Sequence, residues 1–180
     1  MIGGLAGDAL TDADNNVAVG RAALSTDTLG SCSVAIGRNA LVTQNFSSAT
    51  DSFNVAVGDR AGAAVTTGTL NTLIGGLAGD AITTGNSNVA VGYQTLSADT
   101  LGDRNVAIGL QALMSQNFTS STDSYNTAVG YAAGLSVTTG QVNTLVGGLS
   151  GDALTTGGEN TAVGYKTLSA NTTGAYNTAL

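Results

Sequence analysis

A glycine closing the phrase Asn-(Val/Thr)-Ala-(Val/Ile)-Gly returns at almost constant intervals, and no other feature limits the fold as strongly. The closing glycines are Gly3, Gly20, Gly37, Gly58, Gly75, Gly92, Gly109, Gly130, Gly147 and Gly164. They mark out 17-residue units with one 21-residue unit in every four, and the whole pattern has a 72-residue period. GGLAGDA at Gly3 returns at Gly75 and as GGLSGDA at Gly147, while TQNFSSATDSFN from Thr43 returns as SQNFTSSTDSYN from Ser115. Units of this size cannot bury a face alone and must stack on their neighbours. Residues 1–180 read as one repeat array of two and a half super-repeats. Neither end carries an atypical capping unit, so the array is expected to be a segment of a longer fibre.

Within each unit the phrase has fixed columns. Four positions before the glycine stand Asn16, Ser33, Asn54, Asn71, Asn88, Asn105, Asn126, Asn143, Asn160 and Asn177. Three before it is Val or Thr in every full phrase, two before it Ala or Leu, and one before it Val or Ile. Strand residues alternate between faces, and β-branched side chains favour strands. The β-branched pair is therefore expected to stack into the inner core. Asn, Ala and Gly then share the opposite face, where the Asn column forms an amide ladder at a turn and the glycine permits the bend.

The rest of each unit follows a second rule. Four residues after the glycine stands Leu (Leu24, Leu41, Leu96, Leu113, Leu168) or Gly (Gly7, Gly62, Gly79, Gly134, Gly151). Where it is Gly, an aliphatic follows three residues later: Leu10, Val65, Ile82, Val137 or Leu154. Each unit thus supplies a second core residue from one of two places, and a TTG or TLG turn closes most units. Two short strands and two turns per unit describe one rung of an all-β, parallel β-roll or β-solenoid. At about 4.8 Å per rung, ten rungs make a rod on the order of 50 Å long. The four extra residues of every fourth unit are expected to protrude as a loop carrying Phe46 or Phe118.

Composition narrows the chemistry. The chain is 42% apolar, 4% aromatic and 9% charged, with no Pro, against about 25% charged in an ordinary domain. Its core must therefore be narrow and built from small side chains. With only one or two medium aliphatics per rung, three chains around an axis could share that core. His is absent and the net charge is −7, which removes His-based triads and metal sites and argues against nucleic-acid phosphates. No enzyme activity, metal or cofactor is expected. Cys32 stands alone, so there is no internal disulfide. No apolar run is long enough to span a membrane, so membrane insertion is not expected. GGLAGD departs from the calcium-binding G-G-x-G-x-D nonapeptide in glycine placement and in period, and Asp8, Asp80 and Asp152 are expected to be solvated turn residues.

NVAVG, SVAIG and NVAIG, with a small residue three positions on, resemble the head repeats of YadA-like trimeric autotransporter adhesins. The fuller form NTAVGYxxL with a TTG turn resembles repeats in bacteriophage tail fibres. The resemblance covers essentially the whole chain and implies a trimeric, fibrous β-roll. The 17- and 21-residue units are longer than the adhesin rung, which implies larger loops or a different cross-section.

Three functions follow as expectations. The first is a structural shaft segment of a phage tail fibre or similar virion appendage used in host attachment, placed in the virion. The second is the head of a trimeric autotransporter adhesin at the cell surface, and the third is an ice-binding solenoid. The partners expected are further copies of the chain, as a homotrimer within a longer fibre, together with a host-surface glycan or protein. Tyr93, Tyr131 and Tyr165, directly after the glycine, and the loop aromatics Phe46 and Phe118 are the candidate surface-binding residues.

Overall fold

The computed structural model describes residues 1–180 and contains strands and turns but no helix. In chain order the strands are β1 (Val17–Val19), β2 (Gly30–Ser31), β3 (Val34–Ile36), β4 (Thr50–Asp51), β5 (Val55–Val57), β6 (Thr72–Ile74) and β7 (Val89–Val91). They continue as β8 (Gly102–Asp103), β9 (Val106–Ile108), β10 (Thr122–Asp123), β11 (Thr127–Val129), β12 (Thr144–Val146), β13 (Thr161–Val163) and β14 (Thr178–Ala179). Ten of them form one parallel sheet in the order β1-β3-β5-β6-β7-β9-β11-β12-β13-β14. Each repeat phrase pairs with the same phrase of the next unit, Val55 with Thr72 and Thr72 with Val89, for example. The chain is a β-solenoid of about ten turns.

Within each rung the backbone bonds in both directions along the stack. The Gly75 amide donates back to Val57 O (2.7 Å), whereas the Thr72 amide donates forward to Asn88 O (2.8 Å). A second strand forms only beside the long units, as the pairs β2–β4 and β8–β10. Elsewhere the far side of the rung is held by single hydrogen bonds, such as Thr83 N to Thr100 O (3.0 Å). The expected two strands per rung are thus one strand and one hydrogen-bonded arc.

The facing of the strand is the reverse of the expectation. The position two before the glycine points inward: Ala18, Ala35, Ala56, Leu73, Ala90, Ala107, Ala128, Leu145 and Ala162 are all fully buried. No residue of the Val/Thr column or the Val/Ile column in β1, β3, β5, β6, β7, β9 or β11 to β14 is buried. The Asn column, the Ala/Leu column and the glycine share the inner face, and the β-branched pair looks out. Parity along the strand forces this once the Asn lies inside. The inner space is then completed by small residues three after the glycine, such as Ala23, Ala61 and Ala112, and by the second core residue.

That second residue follows the expected alternation. Leu24, Leu41, Leu96 and Leu113 are fully buried, as are Val65, Ile82, Val137 and Leu154 in the units that carry Gly instead. Both Leu and Gly here adopt a left-handed backbone, Leu96 at φ 52° and Gly79 at φ 55°, so the exchange changes core filling and not chain path. A Cβ on Gly79 would lie 2.8 Å from Leu73 Cδ2 and from Ile82 Cδ1. The larger Leu73 thus takes the space that Gly79 vacates.

Every rung bends at left-handed positions. The residue before the Asn and the residue two after the glycine are left-handed throughout, as in Leu70 (φ 61°) and Leu77 (φ 58°). The closing glycine itself has a φ between 124° and 143° and sits against the next closing glycine. A Cβ on Gly58 would lie 2.5 Å from the carbonyl carbon and oxygen of Gly75.

Two outcomes test this backbone. Gly58→Ala combines strain with a backbone clash and is expected to destabilise by about 2–6 kcal/mol, read from denaturant or thermal unfolding. Val142 is an exposed β-branched residue at φ 58°, where Asn is better tolerated. Val142→Asn is expected to stabilise by about 1 kcal/mol in the same measurement.

Candidate functional site

The Asn column lies inside the solenoid, sealed from water from Asn54 to Asn160. Asn54 Oδ1 accepts the backbone N–H of Asn71 (2.9 Å), and Asn54 Nδ2 donates to Gly68 O (2.7 Å). Asn71 repeats this toward Asn88 N (3.0 Å) and Gly85 O (2.9 Å). Asn126, Asn143 and Asn160 continue the same two-ended reach. The amide therefore satisfies turn groups of the next rung that would otherwise be buried without a partner. Side chains also meet directly, as Asn105 Nδ2 to Asn88 Oδ1 (3.1 Å). At the other end of the rung a threonine column, eight after the glycine, forms a second ladder. Thr66 and Thr83 hydroxyls donate to the carbonyls of Thr83 and Thr100. Its signal was present in the sequence as a constant register of Thr or Asn.

The phenylalanines of the long units do not stand out on the loop as expected. Phe46 and Phe118 are 6% and 4% exposed, and a Cβ on Gly30 would lie 2.7 Å from the Phe46 ring. The ring turns in against the flank of the rung below while Ser47, Ser48 and Ala49, and likewise Thr119, Ser120 and Ser121, stay exposed, which removes both phenylalanines from the candidate binding surface. Beneath them lie two buried polar networks that hydrophobic patterning could not reveal. Gln44 and Gln116 stand seven after the glycine, a column that holds Leu, Val or Ile in the units with the extra Gly and Asp27, Asp99 or Asn171 in the others. Gln44 Nε2 donates to Asp27 Oδ2 (2.6 Å) and its Oε1 accepts from Asn54 Nδ2 (2.8 Å). Gln116 makes the same pair with Asp99 (2.6 Å) and Asn126 (2.8 Å). Asp99 also accepts from the Gly102 amide (3.0 Å). Burial pushes the Asp99 carboxyl above the usual range, against the opposing pull of its hydrogen bonds to Gln116 and the turn amides.

Asp80 and Asp152 are not the fully solvated turn residues expected. Each is only part-exposed and has one sealed carboxylate oxygen with no partner, and burial raises the Asp80 carboxyl. No group of three His, Cys, Asp or Glu side chains converges, and the surface has no enclosed pocket.

The exposed surface is organised by columns. The outward strand face carries only Val, Ile and Thr over β1 to β13, wherever the main sheet runs. The column after the glycine reads Gly4, Arg21, Arg38, Asp59, Gly76, Tyr93, Leu110, Tyr131, Gly148, Tyr165. Arg38 holds Asp59 in a bidentate pair (2.7 and 2.9 Å), which keeps the Asp59 carboxyl below its usual range. Tyr93, Tyr131 and Tyr165 are exposed as expected, at 51%, 58% and 73%. A second set of exposed aromatics, Phe53, Tyr125 and Tyr176, precedes the Asn column.

A single left-handed-turn geometry, a ten-stranded parallel sheet and two side-chain ladders define this chain as a parallel β-solenoid repeat protein. Comparison with protein-family models, curated proteins and solved structures finds no match.

The Asp99 network gives a signed pH dependence. A folded-state pKa raised above the unfolded value of about 3.9 means that the native chain holds the proton more tightly. Its contribution improves as pH falls through the raised folded pKa and is complete below the unfolded one. In Asp99→Asn the group no longer titrates. The thermal midpoint of the parent is expected to gain on that of the variant between pH 7 and pH 4, with all other titrations common to both.

Proposed function

We propose that this chain is a structural shaft segment of a phage tail fibre or similar virion appendage, assembled as a homotrimer along its outward sheet face. The observation that carries the reading is that face: ten strands of exposed or half-exposed Val, Ile and Thr without one charge. In a chain of net charge −7, a long uncharged β-branched strip is an unusual surface, and large exposed apolar patches mark association sites. The strip is about 48 Å long and, from the Asn to the glycine, about 13 Å wide. Three copies would together cover on the order of 1,900 Å² of strip, about 620 Å² for each of the three pairwise contacts, which is the size of a weak interface. Identical columns on each copy would meet in register, rung against rung. The resemblance of NVAIG and NTAVGY to trimeric fibre repeats supports three copies over two.

The function is mechanical. Hydrogen bonds that run along the axis and columns that exclude water resist extension and unravelling, so the shaft holds a tip at a fixed distance from its anchor. A cell-surface adhesin head would use the same assembly, and the surrounding genes separate the two, virion genes against an outer-membrane anchor. Thr127, Thr144, Thr161 and Thr178 form four successive rungs of the outward face, which favours ice binding as a second reading. Thermal hysteresis in purified protein would support that reading, and its absence would remove it.

Sedimentation equilibrium tests the assembly. The parent is expected at three times the 17.6 kDa chain mass. Val91→Lys with Ile108→Lys places two charges on the strip and leaves the inner columns untouched, so the variant is expected to sediment as a folded monomer. A monomeric parent overturns the trimer.

A further inference from the structure

The column after the glycine changes its chemistry from one super-repeat to the next far more than the inward columns do. One super-repeat further along the chain Arg21 becomes Tyr93, and the next makes it Tyr165; likewise Arg38 becomes Leu110 and Asp59 becomes Tyr131. Over the same interval the closing glycines and the inward Ala of β1, β3 and β5 are unchanged, and the other inward positions change only between small or similar residues, as Ala23 to Thr95 and Ala78 to Ser150. Gly4, Gly76 and Gly148 also stay glycine. A position that accepts Arg, Asp or Tyr on the same backbone does not need an aromatic ring for folding. Packing therefore does not explain why three tyrosines gather at one end of the column.

Their placement is regular. Tyr93, Tyr131 and Tyr165 occupy alternate rungs and are more than half exposed, with Leu110 and Gly148 on the rungs between. Alternate rungs are about 9.6 Å apart, two strand spacings. Tyr93 and Tyr165 lean onto the glycine of the rung before: a Cβ on Gly76 would lie 3.4 Å from Tyr93 Cδ2, and one on Gly148 3.6 Å from Tyr165 Cδ2. The glycines thus give two of the rings a seat against the rod. Hydrogen-bonding side chains stand next along the chain, with Gln94 and Gln111 linked to each other (3.1 Å) and Lys166 over the Tyr165 ring (5.4 Å).

We propose that Tyr93, Tyr131 and Tyr165 form a ladder that binds an extended, neutral, β-1,4-linked polysaccharide laid along the rod axis. In such a polymer successive sugars are turned over, so every second ring presents the same face. Its disaccharide repeat is close to the spacing of alternate rungs. The C–H face of every second sugar stacks on a tyrosine, an apolar contact with a polarised ring, while Gln94, Gln111 and Lys166 take hydroxyl groups. A polyanionic glycan is disfavoured by the net charge of −7. The ladder lies beyond the glycine, outside the strip assigned to assembly, so this site goes beyond the shaft reading and does not depend on it.

The test uses cellohexaose and chitohexaose as soluble probes, with insoluble cellulose and chitin as the polymers, measured by calorimetry and pull-down. The internal repeat supplies the variant: Tyr93→Arg, Tyr131→Asp and Tyr165→Arg together restore the residues of the first super-repeat on a backbone that already accepts them. The parent is expected to bind at least one hexaose, and the triple variant to lose about tenfold or more in affinity. Tyr176→Arg, whose counterpart one super-repeat earlier is Arg104, is expected to leave binding unchanged. Binding that is equal in the triple variant overturns the proposal. So does failure of the parent to bind any probe, or a disaccharide that binds as tightly as the hexaose. Sedimentation of the same samples reads assembly separately, so loss of the trimer and loss of sugar binding are distinguishable.

Discussion

The buried asparagine that reaches from one turn into the next is the interaction on which the other columns depend. A tight bend leaves backbone N–H and C=O groups pointing into the rung, where no water can reach them, and each would be costly unpaired. Asn supplies an acceptor and a donor on one short side chain, and Asn71 uses both on the following turn. The amide lies inside the solenoid and shares the strand's face with the residue two further on and with the glycine. The Ala or Leu column is thereby inside, the glycine meets the next glycine backbone to backbone, and the Val and Ile side chains are left on the outside.

The same constraint explains where variation is allowed. The inward columns see two neighbours at fixed distance, so exchanges there are small, such as Ala78 for Ser150, or volume-compensated, such as Leu73 opposite Gly79 and Ile82. Where the column seven after the glycine carries Gln44 or Gln116, the same column of the preceding unit supplies Asp27 or Asp99, and the following Asn and a covering Phe complete the set. A buried polar group is tolerated only as a member of a satisfied set. Of the four extra residues of the long unit, the phenylalanine closes over that set and the three after it stay exposed. The outward columns carry no such obligation. They can hold an uncharged strip over ten strands, or change from Arg and Asp to Tyr within one super-repeat.

Much of this was legible in the sequence. The rung length, the 72-residue period, the Asn ladder, the paired rule for the second core residue and the exposure of Tyr93, Tyr131 and Tyr165 follow from spacing alone. The facing of Val and Ile was not legible, because hydropathy ranks them above Ala and favours them for the interior. The fate of Phe46 and Phe118 was hidden for a related reason. An insertion reads as a loop unless its buried partners are known, and Asp27 and Gln44 belong to successive units that meet only when the rungs stack. The part-burial of Asp80 and Asp152 gave no sequence signal at all.

Periodicity by itself determined that the chain stacks as parallel rungs, because units this short have no other way to bury a face. Which face is buried was decided only by the tertiary structure. A three-residue strand between left-handed bends encloses a space too narrow for β-branched residues on both sides, yet well suited to Ala, Asn and an opposing Leu. Saturation of the buried turn groups outweighs the greater hydrophobicity of Val and Ile on the strand, and the rod keeps its β-branched strand face on the outside.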